Sequence, residues 1–316
     1  MTHNHPFAHV GAFAGVVALS PGGHHVCALK SDGSVMCWGE NASGQLGNGS
    51  TRDSHDPVVV AGLREVVALS SGRHHSCALL ANGTVMCWGD NGYGQLGDAS
   101  TYDRSTPVAV QDLSGVVALC AGRYHTCALT REGRVWCWGR NDYGQLGNGR
   151  HYDSASPLQV PGLVGVTALS ADCYHSGAVR SDGSVWCWGR NDFGQLGNGC
   201  ELDSAIPVPV LHLGDAVALS VGGCHTCALK ADGSVVCWGR NDFGQLGDGS
   251  TRHSAVPVRV RGLTGAVSVS TGVFYSYALK SDGAVVYWGY DYYGRFGNGG
   301  KTKQTTPIPI WNHAEF

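Results

Sequence analysis

The chain has 316 residues, of which 48 are glycine and 13 are cysteine, and only 14% are charged, against about 25% in ordinary soluble domains. High glycine together with 43% hydrophobic residues excludes a coiled coil and argues against disorder. The net charge of −3 supplies no basic excess for phosphate contacts, and no apolar run approaches the roughly 18 residues that a membrane helix needs, so neither nucleic acid nor a membrane is a predicted partner.

The first ten residues, MTHNHPFAHV, lack the basic stretch followed by an apolar stretch that defines a signal peptide. This favours a cytoplasmic location, although the sequence does not otherwise identify the compartment.

From residue 16 onward the chain is an internal repeat. The segment CALKSDGSVMCWGENASGQLGNGS at 27–50 returns every 50 residues, at 77, 127, 177, 227 and 277. Six repeats, beginning near 16, 66, 116, 166, 216 and 266, predict a single domain over 1–316.

Each repeat predicts four short strands. Around the first repeat boundary these are Pro57–Val60, Val66–Ser70, Ser76–Leu80 and Val85–Gly89, separated by Gly, Asn, Asp and Ser clusters that form turns. No run of ten or more residues has helical periodicity. The strands are apolar on both faces, which is expected when each sheet packs between two others. The sequence therefore predicts an all-β fold, a β-propeller of six four-stranded blades with a 50-residue repeat.

The tail predicts how the ring closes. TPIPIW at 306–311 repeats the strand that precedes the other blades, so we expect Pro307–Ile310 to pair into blade one, and the tail 301–316 to close the ring there. The lead segment Phe7–Val10 lies in the same register and is the competing candidate. An open arc of six blades that completes its ring by self-association is a further alternative.

The repeat also resembles a known family. The pattern G-x-x-H-x-x-A-L-x-x-x-G-x-V-x-x-W-G-x-N-x-x-G-Q-L-G is met nearly in full by Gly22–Gly47, Gly72–Gly97, Gly122–Gly147 and Gly222–Gly247. It is similar to the repeat of the regulator of chromosome condensation family. The departures from the pattern are Asp172 in repeat four and Tyr275, Arg295 and Phe296 in repeat six. The resemblance implies a propeller, although the best-known members have seven blades.

The functions that the resemblance implies are diverse, since the family includes an exchange factor for a nuclear small GTPase, a plant photoreceptor, bacterial effectors and β-lactamase inhibitors. Residues at the positions of the photoreceptor's tryptophans argue against light sensing; they are Gly23, Arg73, Arg123, Cys173, Gly223 and Val273. The six repeats have uniform length and leave no inserted loop to reach a GTPase, so exchange activity is only a further alternative.

One histidine per repeat falls in the same register, at His25, His75, His125, His175 and His225, with Tyr275 in the sixth repeat. These residues could form a metal or acid–base site about the axis. The favoured interpretation is structural, with each imidazole tying its own turn to the adjacent strand. No cofactor or metal is predicted. In the metal-binding alternative the ligands would be His175, His225, Cys173 and Cys224.

The cysteines form a pattern of cross-strand pairs. If Lys30 pairs with Ser34 across the Ser31–Gly33 turn, Cys27 faces Cys37 on one side of the sheet, and three other repeats have the same pair. Without a signal peptide we favour buried free thiols over disulfides. The cysteines outside the four pairs are Cys120, Cys173, Cys187, Cys200 and Cys224.

Function is predicted where the repeats differ on the surface. Repeat six is crowded with aromatic residues, and repeats three to five carry an arginine after the Trp-Gly pair. Tyrosine and arginine are enriched at protein-binding hot spots, so the leading prediction is a rigid module that presents one loop face to a protein partner. The predicted partner-binding residues are Phe274, Tyr290, Tyr292, Tyr293, Arg73, Arg123, Arg140, Arg190 and Arg240. The alternative is an enzyme or metal-binding protein with a His/Cys site at the axial mouth.

Overall fold

The structure is a computed structural model that describes residues 14–292, 294 and 302–310. Within these residues the chain forms 24 β-strands joined by turns and loops, and it contains no helix that could span a membrane. The strands make six separate antiparallel sheets of four, each in chain order. The predicted all-β fold of six four-stranded blades is confirmed.

The blades repeat one strand pattern at 50-residue intervals. The first strands are β1 (Val16–Pro21), β5 (Val66–Ser71), β9 (Val116–Ala121), β13 (Val166–Asp172), β17 (Ala216–Val221) and β21 (Ala266–Thr271). The second strands are β2 (His25–Lys30), β6 (His75–Leu80), β10 (His125–Thr130), β14 (His175–Arg180), β18 (His225–Lys230) and β22 (Tyr275–Lys280). The third strands are β3 (Val35–Gly39), β7 (Val85–Gly89), β11 (Val135–Gly139), β15 (Val185–Gly189), β19 (Val235–Gly239) and β23 (Val285–Tyr290). The fourth strands are β4 (Ser54–Val59), β8 (Arg104–Ala109), β12 (Ser154–Gln159), β16 (Ser204–Pro209), β20 (Ser254–Arg259) and β24 (Lys303–Pro309).

Successive blades pack face to face through an apolar interface. Between blades one and two, Leu29 and Val35 of the first blade meet Val66 and the indole of Trp88 in the second. First strands of successive blades contact each other, so they form the inner edge around the axis. Five tryptophans also donate an indole N–H to the backbone carbonyl of a glutamine in the preceding blade, at 2.8 or 2.9 Å. They are Trp88, Trp138, Trp188, Trp238 and Trp288. These shared cores and hydrogen bonds hold the six blades in a fixed arrangement.

The hairpin between second and third strands has the predicted register. Gly33 has φ 77°, a conformation that glycine adopts at little cost, and its N–H donates to the carbonyl of Lys30. The N–H of Lys30 donates to the carbonyl of Ser34, so Cys27 lies directly opposite Cys37. The glycine turn and the Lys30–Ser34 hydrogen bond therefore determine which cysteines face each other.

The four facing cysteine pairs are disulfides, and the prediction of free thiols is wrong at these positions. The facing register brings the Cα atoms of each pair to 4.1 or 4.2 Å, which places the two thiols side by side inside the interblade core. The bonds are Cys27–Cys37, Cys77–Cys87, Cys127–Cys137 and Cys227–Cys237. Blade four lacks this bond because Gly177 stands opposite Cys187, and Cys187 is a buried free thiol.

Counting thiols tests this assignment. Alkylation of the chain in denaturant without reductant is expected to label only the five free cysteines, and alkylation after reduction is expected to label all 13. Intact mass spectrometry reads both numbers directly. Thirteen labels without reductant would contradict the disulfides.

The tail strand belongs to blade six, which corrects the prediction that it pairs into blade one. β24 pairs with β23, with Ile308 opposite Tyr287. In every blade the chain runs from the third strand through a loop to the fourth strand of the same sheet, and blade one accordingly takes its fourth strand from Ser54–Val59. The competing segment, Phe7–Val10, lies outside the described residues.

Candidate functional site

The long loops between third and fourth strands build one face of the molecule. In the first of them, Asn41 and Gln45 are fully buried, and the Asn41 side chain accepts the N–H of Leu46 at 2.8 Å. The Asn41 amide nitrogen donates to the carbonyls of Ser50 and Arg52, both at 2.9 Å. The other blades with described loops repeat much of this network. A buried polar network of this kind fixes the loop, so the residues on its surface have defined positions.

Each loop also lies against the next blade. Gly144 has φ 77°, and a Cβ atom there would lie 2.4 Å from the Cα of Ala205 in β16. Only glycine permits this close approach together with a left-handed backbone. The loop of one blade is therefore held on the outer strand of the following blade.

Arginines and aromatic rings alternate along this loop face. The guanidinium carbon of Arg140 lies 4.9 Å from the ring centre of Tyr93, 5.5 Å from that of Tyr124 and 5.4 Å from that of Tyr174. Tyr124 and Tyr174 are themselves 6.5 Å apart. These distances are those of cation–π contacts, which hold the guanidinium close to the rings.

The same arrangement continues across the later blades. Arg190 lies 5.1 Å from the ring of Tyr143, and Arg240 lies 4.9 Å from the ring of Phe193. Beyond them, Phe243 stacks on Tyr290 at 5.2 Å. We call this set the arginine–aromatic belt, and its members are Tyr93, Tyr124, Arg140, Tyr143, Tyr174, Arg190, Phe193, Arg240, Phe243, Phe274, Tyr290 and Tyr292.

An aspartate partners each belt arginine. Arg140, Arg190 and Arg240 lie 2.6, 2.6 and 2.7 Å from the carboxylates of Asp142, Asp192 and Asp242, respectively. All of these side chains are partly exposed, so the pairs add little to stability. They orient the guanidinium groups and leave the belt close to neutral.

The structure brings most of the predicted partner-binding residues onto the belt or beside it. Arg73 donates to the hydroxyl of Tyr124 at 2.8 Å, and Arg123 lies 5.5 Å from the same ring. Tyr293 lies outside the described residues. The sequence analysis did not single out the rings of Tyr124 and Tyr174. A signal was present, because the residue before the buried histidine differs between repeats and is His24, His74, Tyr124, Tyr174 and Cys224 in blades one to five.

The outer rim of the same face carries exposed apolar side chains that the sequence analysis also missed. Tyr102, Tyr152 and Leu202 occupy equivalent loop positions of blades two to four, and Tyr152 is 81% exposed. Arginine replaces them at positions 52 and 252. The loop face therefore has an apolar rim on one side only.

A cavity of about 890 Å³ lies around the axis. Turns between first and second strands line it, including Gly72, Gly122 and Cys173, together with Phe274 and Tyr290 of blade six. The belt residues of blade six thus reach the mouth of this cavity.

The register histidines have the structural role that the sequence favoured, with one difference: each reaches the next blade. The Nε2 atom of His125 lies 2.9 Å from the Ser176 hydroxyl, and His25, His75, His175 and His225 make equivalent contacts with a serine or threonine at 2.7–3.0 Å. Burial lowers the pKa of His25 and His125 to about 4, and burial with neighbouring imidazoles lowers that of His75 and His175 to about 3. The pKa of His225 is also lowered by burial, to about 3. These imidazoles are neutral at physiological pH.

The alternative metal ligands are not assembled into a site. His175 and His225 are each bonded to a hydroxyl of the next blade. Burial raises the pKa of the Cys173 and Cys224 thiols, which makes them poor thiolates. Across residues 14–292, 294 and 302–310, no group of three or more His, Cys, Asp or Glu side chains is placed to hold a metal ion.

The fold and its repeated blade define a propeller built from regulator of chromosome condensation (RCC1) repeats. Residues 3–213 match the sequence model described as RCC1-like domain, and residues 216–245 and 232–279 match two models of the RCC1 repeat. The chain belongs to the RCC1-like domain family.

Individual proteins of known identity match the chain over a short segment or at low sequence identity. A segment of 48 residues is 44% identical to human E3 ubiquitin-protein ligase HERC2, and this match covers 15% of the chain but only 1% of HERC2. Human WBSCR16 has a similar structure, with a TM-score of 0.85 and 25% identity over 94% of this chain and 82% of that chain. Prp20p of Saccharomyces cerevisiae has a TM-score of 0.83 and 26% identity over 95% of this chain and 78% of that chain; its structure was described together with its binding to Gsp1p and histones.

Proposed function

We propose that the protein is a protein-interaction module whose loop face binds a macromolecular partner through the arginine–aromatic belt. The belt is the observation that carries this proposal. Arginine, tyrosine and other aromatic residues are the side chains that dominate binding energy at protein interfaces. Here they are already ordered by stacking and by ion pairs, so little side-chain freedom is lost on binding.

The composition of the belt suggests the kind of surface it recognises. The residue after the Trp-Gly pair is Glu40, Asp90, Arg140, Arg190, Arg240 and Tyr290 in blades one to six. The side chain at this position therefore changes from a carboxylate to an arginine paired with an aspartate, and then to an aromatic ring, around the axis. A folded partner with complementary charged and apolar groups on its surface would fit this order of side chains around the axis in only one binding orientation.

The family supports a protein as the class of ligand. Prp20p, which is 26% identical to this chain, is a relative described with binding to Gsp1p and histones. An exchange factor for a small GTPase is the second candidate, and a purified small GTPase is a suitable first probe. Nucleotide release measured with and without the protein separates exchange activity from simple binding.

Quantitative affinity capture tests the proposal. The chain is immobilised, cross-linked to bound proteins and compared with two single variants, Arg190→Ala on the belt and Arg180→Ala at the opposite end of the same sheet. Arg190 and Arg180 each pair with an aspartate two residues further on, so the variants are matched. Truncation at a hot spot typically weakens binding by about tenfold or more.

We expect a specific partner to be retained by the Arg180→Ala variant and depleted by the Arg190→Ala variant. Equal retention by both variants and by Tyr290→Ala would contradict binding through the belt.

A further inference from the structure

The long loop of blade five differs from the equivalent loops at one hydrogen-bond acceptor. In blades one to four, the backbone N–H of the buried loop asparagine donates to an aspartate carboxylate 12 residues further on, at 2.7 or 2.8 Å. These aspartates are Asp53, Asp103, Asp153 and Asp203. In blade five the asparagine is Asn241, and its N–H donates at 2.9 Å to the Nδ1 atom of His253. An imidazole thus replaces the carboxylate at this position.

This hydrogen bond fixes the protonation of the His253 ring. A backbone N–H can only donate, so Nδ1 must carry a lone pair, and the proton of the neutral ring lies on Nε2. The Nε2 atom is 3.5 Å from a carboxylate oxygen of Asp242. A second proton has to enter at Nδ1, where it would point at the N–H of Asn241. Protonation of His253 therefore turns the acceptor into a donor and breaks the bond to Asn241.

The charged groups around His253 come from its own loop and from blade six. Asp242 pairs with Arg240 at 2.7 Å, and Lys303 of β24 donates to the backbone carbonyl of Asp242. From blade four, the uncharged ring of Phe193 meets the imidazole edge-on at 5.1 Å. An imidazolium would compete with Arg240 for the Asp242 carboxylate, so the added proton alters a second contact of the loop.

The loop of blade five is also held by weaker hydrogen bonds than the others. In blades one to four the asparagine side-chain nitrogen donates to the carbonyl 11 residues further on, at 2.9–3.1 Å. Within the part of the chain that the structure describes, Asn241 makes no equivalent bond to Arg252, and its bond to the Ser250 carbonyl is 3.3 Å long. The Asn241 side chain also accepts the N–H of Leu246 at 2.9 Å. Loss of the bond to His253 therefore acts on a residue that holds the loop together.

We propose that His253 is a proton-controlled switch for the loop at 240–253. With a neutral imidazole the loop is fixed, and with a protonated imidazole it opens locally and the Arg240–Asp242 pair weakens. Histidine is the side chain whose charge ordinarily changes between about pH 5 and 8, whereas aspartate ordinarily titrates near about pH 3.9. Only the loop of blade five is thus expected to respond in this range. This inference does not depend on the function proposed for the belt.

Amide hydrogen exchange measured by NMR tests the proposal. Protection factors of the Asn241 and Leu246 amides are determined at pH 7.5 and at pH 5.5. Those of Asn191 and Leu196, which occupy the same positions in blade four, are the internal reference and also report that the propeller stays folded. Protection factors are corrected for the pH dependence of intrinsic exchange, so they report local opening.

Two variants are compared with the natural chain. His253→Asp gives blade five the acceptor that four other loops use, and Asp203→His places the histidine in blade four. In the natural chain we expect the protection factors of Asn241 and Leu246 to fall about tenfold relative to blade four on acidification, as loss of one hydrogen bond predicts. The fall should be absent in His253→Asp, and an equivalent fall at Asn191 is expected in Asp203→His.

Equal relative protection at the two pH values in the natural chain would overturn the proposal. A fall at Asn241 that persists unchanged in His253→Asp would also overturn it, because the response would then come from another group.

Discussion

Acidification is expected to unfold the protein well above the pH at which most of its carboxyl groups titrate. Five buried histidines have a lowered pKa in the folded state, about 4 for His25 and His125 and about 3 for His75, His175 and His225. In the unfolded chain they titrate near the ordinary value of 6.5. The unfolded state therefore takes up protons first as the pH falls, and folding stability decreases.

The sign and size of this effect follow from linkage. The stabilisation is complete above pH 6.5 and is lost as the pH falls from 6.5 towards 4 and 3. Each histidine removes up to about 1.4 kcal/mol of unfolding free energy per pH unit in this range. The buried Nδ1 atoms of these rings have no hydrogen-bond partner in the part of the chain that the structure describes, so an added proton there finds no acceptor.

Thermal unfolding measured between pH 7.5 and 4.5 tests this prediction. We expect Tm to fall steeply below pH 6.5, and His75→Gln to reduce the slope of unfolding free energy against pH by about a fifth. A Tm that is constant down to pH 4.5 would show that the histidines are not buried as neutral groups.

The second large effect is expected at the interblade tryptophans. Trp188→Ala removes a fully buried indole between blades three and four, whose N–H donates to the carbonyl of Gln145 at 2.9 Å. Loss of a buried tryptophan costs about 3–5 kcal/mol, because apolar contacts disappear and a cavity remains. Trp38→Ala is the matched control, because Trp38 occupies the same register at the end of the arc and is only partly buried.

Chemical denaturation of the two variants measures the difference. We expect the free energy of unfolding to decrease clearly more for Trp188→Ala than for Trp38→Ala. Equal losses would mean that Trp38 contributes as much packing as the internal tryptophans, and would contradict its partial burial.

Much of the fold follows from the sequence because the repeat is regular. Gly33 and its equivalents set the hairpin turns, and the apolar strands on both faces require neighbours on both sides. The assignment of the tail failed for a physical reason. A 50-residue cycle of four strands has no marked beginning, so the strand at 303–309 could follow blade six or precede blade one, and only pairing with β23 decides.

The candidate site was predictable in part. Arg140, Arg190 and Arg240 stand out because they differ between repeats. The rings that hold Arg140 come from separate places in the sequence, since Tyr93 lies in the loop of blade two and Tyr174 lies in a turn of blade four. Neighbours of this kind depend on how successive blades pack. The oxidation state of the cysteine pairs was equally undetermined, because a facing register permits either thiols or a disulfide.

The central claim, that the loop face binds a protein through the arginine–aromatic belt, is tested most directly by hydrogen exchange of the chain alone and with its captured partner. We predict protection in the loops at 90–103, 140–153 and 190–203, with no change in the hairpin turns at the opposite end of the sheets. Protection confined to those hairpin turns, with unchanged exchange in the three loops, would contradict the claim.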